Sequence, residues 1–303
     1  MELKQIKYFS RVAQMGSVSK AAASLSVAQP AISRQIAQLE DELGVPLFFR
    51  NGRGVTLTEA GHVFFGRASA ILDEVLHAEQ EMRDQRSVVS GTVSLGLPPT
   101  AAQVLVVPLI QRLRTVYPEL SLQVREAFSG YVNEWLSFGA LDIAVLYDAP
   151  RGRQLVTEEL VHEELFLVGP PDAPREAITF AELTLLPLIL PSQPHGLRLL
   201  VDKIAADANL TLRTAFEIDA LSVIKELVES GIGFAILPSA AVHRERAAGT
   251  IGIRKIVEPT PSRTLVLSTS SQRPLTNATR AVVKELKGVV RELIRDQVWH
   301  GAY

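Results

Sequence analysis

Residues 17–53, SVSKAAASLSVAQPAISRQIAQLEDELGVPLFFRNGR, carry the pattern from which the N-terminal fold is read. Ile32, Ile36, Leu39 and Leu43 recur at i, i+4, i+7 and i+11, the spacing of one buried stripe on an α-helix. The opposite face holds Gln29, Ser33, Arg34 and Gln38. Polar side chains with several donors and one fixed charge suit a helix that reads base edges and grips phosphates in a DNA major groove. Pro30 fits the first helical turn, where a missing N–H costs nothing, and Ser26 just upstream is placed to cap. A shorter helix over residues 18–25 precedes it across a tight turn, giving a helix-turn-helix. Behind it, Leu47-Phe48-Phe49-Arg50 and Val55-Thr56-Leu57 flank Asn51-Gly52-Arg53-Gly54, and Asn-Gly is a strong hairpin signal. With Arg50 and Arg53 at this turn, the expectation is a winged helix-turn-helix with a basic wing. The plain alternative is a helical bundle with a solvated polar face. The order of helix, tight turn, proline-started helix and arginine-tipped hairpin argues against it.

The formal net charge of −2 looks wrong for a nucleic-acid binder, but the charge is unevenly spread. Residues 1–67 hold eight Lys/Arg against five Asp/Glu, and three of the acids cluster at Glu40-Asp41-Glu42, the far end of the expected recognition helix. The base-reading end is therefore basic, as expected of a salt-sensitive DNA-binding module on a neutral body. A length of 303 residues and 47% hydrophobic content support two domains or more with genuine cores. No long apolar run and no signal peptide stand out, so the expectation is a soluble, cytoplasmic protein with no membrane partner. The absence of cysteine excludes disulfides, thiol nucleophiles and Cys-ligated zinc.

Residues 1–15 read as a first helix, with Leu3, Ile6, Phe9, Val12 and Ala13 at helical spacing, packed across the back of the other two. After Thr58, an N-cap, a helical pattern runs to about residue 86. Its positions Leu57, Gly61, Phe64, Ala68, Ile71, Val75, Ala78 and Met82 alternate in fours and threes, a heptad seam. A helix this long cannot bury such a seam alone, so the expectation is that it pairs with the same helix of a second subunit; the alternative is packing on the chain's own body. Residues 87–91 read as a hinge. Beyond it come strand 92–97, helix 105–116, strand 120–127, helix 131–138 and strand 141–146. A second series holds strands 164–168 and 186–190, helix 197–208, strand 213–218, helix 221–230 and strand 234–237. Such alternation argues for two α/β units with mostly parallel sheets. A strand at 263–268 and a closing helix at 275–297 are not assigned to either unit by pattern alone.

Catalytic chemistry finds no foothold. The six histidines are scattered without metal-ligand spacing. Nucleophile elbow, P-loop and dinucleotide fingerprint are absent, and Gly231-Ile232-Gly233 leads into a strand rather than a helix. The chain reads as a non-enzyme without metal or cofactor. A binding site is easier to place, because strand-to-helix junctions present unpaired N–H groups. Five such junctions occur: Pro98-Pro99-Thr100 with Gln103, Phe128-Ser129-Gly130, Tyr147-Asp148, residues 192–198, and Asp219-Ala220-Leu221-Ser222. By chemistry and position, Gln103, Tyr147, His195, Arg198 and Asp219 are selected as ligand-facing. Each has the alternative of a cap or turn. Arg198 and His195 beside a helix start suit an anionic ligand, and Arg198 could equally pair with Asp202 at i+4.

The motifs together resemble the LysR-type transcriptional regulators: Ala21-Ala22, Gln-Pro-Ala-Ile-Ser at 29–33, Leu-Glu-x-x-Leu-Gly at 39–44, Leu-Phe-x-Arg at 47–50 and Leu-Thr-x-x-Gly at 57–61. Fragments at 52–56, 165–169 and 191–198 are similar to the branch that includes the nitrogen-assimilation control regulator. The resemblance implies an α/β fold class with a winged helix-turn-helix over 1–58 and a dimerisation helix over 59–87. A two-lobed effector-binding domain, as in periplasmic binding proteins, follows over 88–303. The first lobe takes about 88–162 and 265–303, and the second about 163–264. It implies a homodimer through the linker helix, or a homotetramer, on pseudo-palindromic promoter DNA. Gln29, Pro30, Ser33, Arg34 and Gln38 face the groove, and Arg50 and Arg53 serve the wing. It further implies a small-molecule effector between the lobes near Thr100, Ser129, Ser192 and Leu221. A regulator controlled by its abundance is the alternative; a binding protein or enzyme on the two-lobed fold is a remote one.

Overall fold

A computed structural model describes residues 1–51, 54–83, 89–148, 155–174, 176–271, 274–299 and 301–302. The chain divides into two compact units, one built on the N-terminal helices and one on the α/β elements. The expected wing tip at Gly52 and Arg53, and the start of the expected hinge at Ser87 and Val88, lie outside the described residues.

The N-terminal unit comprises α1 (Leu3–Met15), α2 (Val18–Leu25), α3 (Gln29–Leu43), β1 (Phe48–Asn51), β2 (Gly54–Leu57) and α4 (Glu59–Arg83). Phe9 is fully buried at its centre, with ring centroids 5.1 Å from Phe48 and 4.9 Å from Phe64. Ile6, Val12, Ala21, Ile32, Ile36 and Leu39 complete the core. Leu43 departs from the expected stripe. It is 38% exposed, because Gly44 ends the helix in the left-handed region before the fourth position reaches the core. Ser26 does not cap α3 either. It closes α2 with φ 55°, and α3 begins behind Ala28 with no side-chain cap. Thr58 does cap α4, its hydroxyl accepting from Gly61 N at 2.9 Å and donating to the Pro46 carbonyl at 2.7 Å.

The heptad seam of α4 divides. Its Leu57, Phe64 and Ala68 pack on the unit's own core, together with Phe65 and Leu72 beside the seam, while Ile71 is 36% exposed. A close backbone approach explains the first half: a Cβ at Gly61 would lie 2.1 Å from the Leu47 carbonyl oxygen. The side chains of Ala78 and Met82 lie outside the described set.

In chain order the second unit runs β3 (Gly91–Leu97), α5 (Pro99–Val116), β4 (Leu120–Glu126), α6 (Ser129–Ser137), β5 (Ile143–Tyr147) and β6 (Leu155–Gly169). It continues through β7 (Ile178–Thr179), β8 (Leu188–Leu190), α7 (Gly196–Asp207), β9 (Thr214–Glu217), α8 (Leu221–Glu229) and β10 (Phe234–Pro238). Then follow α9 (His243–Ala248), β11 (Gly252–Val257), β12 (Ser262–Ser270), α10 (Asn277–Arg295) and β13 (Gly301–Ala302). β3 lies between β4 and β5, parallel to both, and β8 lies between β9 and β10, parallel to both. The 15-residue β6 joins the two series. Its first part pairs antiparallel with β12, and from Leu165 onward it pairs antiparallel with β10 and β11. β12 also pairs antiparallel with β5, and α10 packs on α5 and β3 through Val282, Leu286 and Val289.

Three differences from pattern reading have physical causes. α5 starts at Pro99, six residues earlier than expected, because proline at the first turn leaves no bond unmade; Pro108 is accommodated inside the helix. β6 is three times the expected length because its first part is mostly exposed and polar, hiding the alternation. β11, not anticipated, alternates too weakly between buried and half-buried positions to stand out.

Candidate functional site

Two regions bring the expected functional residues together. On α3, Gln29, Pro30, Arg34 and Gln38 are exposed and Ser33 is half-buried, on the face opposite Ile32, Ile36 and Leu39. Gln29 Oε1 accepts from the Ser19 hydroxyl at 3.1 Å, which orients the first side chain of the face from α2. Among the described residues, Arg34 makes a long 3.4 Å contact to the Pro30 carbonyl, which leaves its guanidinium available to a partner. Arg50 lies in β1 opposite Val55. Glu40, one of the three acids at the helix end, fixes where the hairpin starts: its Oε1 accepts from Leu47 N at 2.7 Å and Phe48 N at 3.1 Å.

In the second unit, a cavity of about 390 Å³ opens where the two sheet series meet. The first-turn ends of α5, α6, α7 and α8 surround it. Such ends carry partial positive charge and unpaired N–H groups, so the position favours a ligand with hydrogen-bond acceptors. From the expected set, Thr100, Ser129, Tyr147, His195, Asp219 and Leu221 line it. Phe128, Leu197, Leu200, Ile224 and Ile236 form much of the remaining wall, which is chiefly apolar.

Three expected residues do not line the cavity. Gln103, one turn along α5 from Thr100, is exposed and is not among the lining residues. Ser192 faces Asp219 instead, giving it a backbone N–H at 2.9 Å and a hydroxyl at 2.8 Å. Those two bonds, the backbone one first, hold the Asp219 carboxyl below the usual range. Arg198 is committed elsewhere: Nη1 reaches Glu217 at 2.7 Å and the Pro191 carbonyl at 3.1 Å, and Nε reaches Asp202 at 2.9 Å. The i+4 alternative is the one realised, with a second carboxylate added, so Arg198 offers no free charge to an anion.

His195 acts as the N-cap of α7, its Nδ1 accepting from Leu197 N at 3.1 Å, and its ring stacks edge-on against Phe128 at 4.5 Å. That aromatic contact spans the cleft from one lobe to the other. Burial, with help from the nearby Arg263 charge, lowers the His195 pKa to about 4, so the ring is neutral near pH 7.

Reasoning from sequence missed the charged floor of the cavity. Arg263 on β12 is 3% exposed and its Nε donates to Glu163 Oε1 at 2.7 Å; Glu163 is fully buried. The other carboxylate oxygen, Oε2, accepts from Trp299 Nε1 at 2.6 Å. Toward the cavity, Arg263 Nη2 meets Thr100 Oγ1 at 3.3 Å and the guanidinium stacks 3.4 Å above the Tyr147 ring. Thr100 and Tyr147 hydroxyls are 3.0 Å apart, and burial raises the Tyr147 pKa. A usable signal existed: Arg263 is the single charge in the otherwise uncharged strand SRTLVLSTS. Among the described residues, no group of three or more His, Asp or Glu is placed to hold a metal ion, and no helix is long and apolar enough to cross a membrane.

An exposed polar recognition helix on a helix-turn-helix, and a two-lobed α/β unit with a cavity at the lobe junction, define a DNA-binding transcription factor that carries a second, ligand-sized site. Residues 3–62 match the bacterial regulatory helix-turn-helix protein, lysR family, and residues 86–291 match the LysR substrate binding domain. The chain is 33% identical over 298 residues to the nitrogen assimilation regulatory protein nac of Escherichia coli, covering 98% of each. It is 33% identical over 299 residues to the HTH-type transcriptional regulator BbuR of Bordetella bronchiseptica, covering 98% of this chain and 92% of that one. Its structure is similar to a full-length OxyR variant from Pseudomonas aeruginosa, with TM-score 0.72, 26% identity and 96% and 98% of the two chains covered. It is similar in fold to CbnR, with TM-score 0.71, 23% identity and 96% and 99% covered. The chain belongs to the LysR family of transcriptional regulators, and is a regulator rather than an enzyme.

Proposed function

We propose that this regulator binds pseudo-palindromic promoter DNA as a homodimer, or as a homotetramer built from dimers, and that a small molecule held between its lobes modulates it. The division of labour follows the chain: residues 1–58 read DNA, 59–87 pair with a second subunit, and 88–303 take the effector. α3 enters the major groove, with Gln29, Ser33, Arg34 and Gln38 toward base edges and Pro30 against the sugar-phosphate wall. Arg50 and Arg53 serve the wing. The half of the α4 seam beyond Ile71 pairs with its counterpart, setting two recognition helices about one DNA turn apart. A solved structure of CbnR with its target DNA, similar to this chain at TM-score 0.68, supports the docking mode by analogy of fold.

The observation that carries the effector reading is the cavity, with four helix starts at its rim and Thr100, Ser129 and Tyr147 as polar groups in a mainly apolar wall. It favours an effector over control by abundance alone. The ligand chemistry that fits is a compact molecule with hydrogen-bond acceptors and an apolar body. With Arg198 committed to Asp202 and Glu217, a strong anion draws only on helix ends and on Lys203 and Arg263. The "Hydrogen peroxide-inducible genes activator" of Dickeya chrysanthemi is 30% identical over 295 residues, but this chain has no cysteine and therefore no thiol to oxidise.

The test couples two measurements on the full chain. A thermal-shift screen against carboxylates, amides and amino acids identifies a ligand: at a hundredfold excess over its dissociation constant it adds about 2.7 kcal/mol. Footprinting on promoter DNA with and without that ligand reads modulation. A ligand that binds the cavity and leaves both affinity and footprint unchanged overturns the effector reading; a salt-independent, sequence-independent complex overturns the DNA reading.

A further inference from the structure

Glu163 and Arg263 stand opposite each other in register at the point where β6 leaves β12 and turns to β10. The next residues of β6, from Leu165, belong to the second lobe's pairing. A buried ion pair thus occupies the crossing between lobes. On one side it reaches the cavity through Thr100 and Tyr147. On the other it reaches the C-terminal segment, through the Trp299 indole on Glu163 and through β13, where Gly301 pairs with Glu163 and Ala302 with His162. The side-chain links are between 2.6 and 3.4 Å long, so each is a direct contact rather than loose proximity.

We infer that Arg263, Glu163 and Trp299 are the positioning residues that pass the state of the cavity to the lobe crossing and to the C-terminal segment. The inference rests on the reading of the cavity as an effector site and adds the route of its output. The physical reason lies in the shared carboxylate. Fully buried Glu163 has one oxygen for Arg263 and one for Trp299, with the Tyr147 hydroxyl also interacting with the carboxylate. A ligand acceptor that draws the guanidinium toward Thr100 and Tyr147 must move or weaken its bond to Glu163. The carboxylate cannot turn toward solvent, so the change falls on its other partners, the Trp299 indole and the neighbouring Tyr147 hydroxyl, and on the strand paired beside it. Packed interiors respond by switching between discrete arrangements, which makes such a chain a coupling element.

The protein holds two tryptophans, Trp135 and Trp299, so Trp135→Phe leaves Trp299 as the only tryptophan, read by excitation at a wavelength that the tyrosines do not absorb. In that full-length background, Thr100→Val removes the hydroxyl that meets Arg263 and Tyr147, without changing side-chain size. The expected result is a shifted Trp299 emission maximum and at least a twofold change in acrylamide quenching. Tyr147→Phe, which keeps the ring under Arg263, should act in the same direction and serves if the first variant folds poorly. Leu185→Ala, 77% exposed and outside both the cavity and the chain of contacts, should leave Trp299 unchanged. Silent Trp299 in both cavity variants overturns the relay, as does an equal response to Leu185→Ala. Failure of the effector reading looks different: Trp299 answers to Thr100→Val, while no small molecule stabilises the chain.

Discussion

Replacing Glu163 by Gln is the sharpest test of the energetics at the lobe crossing. The side chains of the pair are 0% and 3% exposed, so neither charge can be met by solvent. Gln keeps the shape but removes the charge. Its amide offers one acceptor and one donor where the native carboxylate accepts from Arg263 at 2.7 Å and from Trp299 at 2.6 Å. One of the two native bonds must therefore become a donor facing a donor, while Arg263 keeps a buried charge without its paired carboxylate, with only the more remote Asp148 charge to act on it. Removing one partner of a buried pair costs about 3–5 kcal/mol, most of it the stranded charge. Urea unfolding followed by tryptophan fluorescence reads this unit alone, because Trp135 and Trp299 both belong to it. Arg263→Met strands the opposite charge and should cost a similar amount. The double variant should cost far less than the sum, since no charge is left behind, giving a coupling energy above about 2 kcal/mol. A loss below about 1 kcal/mol for Glu163→Gln, or additive losses in the double variant, refutes the reasoning.

Other outcomes follow from the same geometry. Gly61→Ala puts a methyl 2.1 Å from the Leu47 carbonyl oxygen, so α4 must shift off its own core; a loss of about 1–3 kcal/mol or more is expected in the N-terminal unit, and an unchanged circular-dichroism melt contradicts the close approach. Arg34→Ala should cost about 1–3 kcal/mol on the operator and relax sequence preference, whereas Arg53→Ala should weaken all DNA and reduce the salt slope by about one phosphate contact; equal losses on specific and random DNA for both variants remove that distinction. His195 has its pKa lowered from 6.5 to about 4, so as pH falls the unfolded chain takes up a proton that the folded one refuses. Stability should accordingly fall between pH 6.5 and 4, and His195→Asn, which retains a capping oxygen, should lessen that decline; parallel curves for parent and variant show that the ring does not govern it.

What was legible in the sequence was local. The helix-turn-helix needs only a turn of side chains, a proline and an Asn-Gly hairpin, all within residues 17–57, and each is decided by neighbours a few positions away. The α4 seam shows where such reading stops. A spacing of fours and threes is the same for a helix paired in a coiled coil and for one laid on its own core, and only the Leu47 carbonyl facing Gly61 tells that the first half is the latter. Arg198 was readable in half, since Asp202 lies one turn away, but Glu217 and the Pro191 carbonyl come from other elements and decide that no charge is left over.

The floor of the cavity was least legible for the same reason. Glu163 and Arg263 are separated by 100 positions and meet only when β6 and β12 pair. In a strand of charged and polar residues, HEEL, Glu163 looks like any solvent-facing acid, and nothing local marks it as the one that is buried. Yet burial without a partner would cost several kcal/mol, so a fully buried acid requires a cation, and the one unexplained cation in an uncharged strand is Arg263. The pair could thus be inferred from either end once the strands are known to be neighbours. That dependence ties the pair to the proposed function: contacts that exist only because two crossing strands pair sit where a change in lobe angle would have to act. The residues hidden from local pattern are therefore the ones to examine for the transmission of a signal.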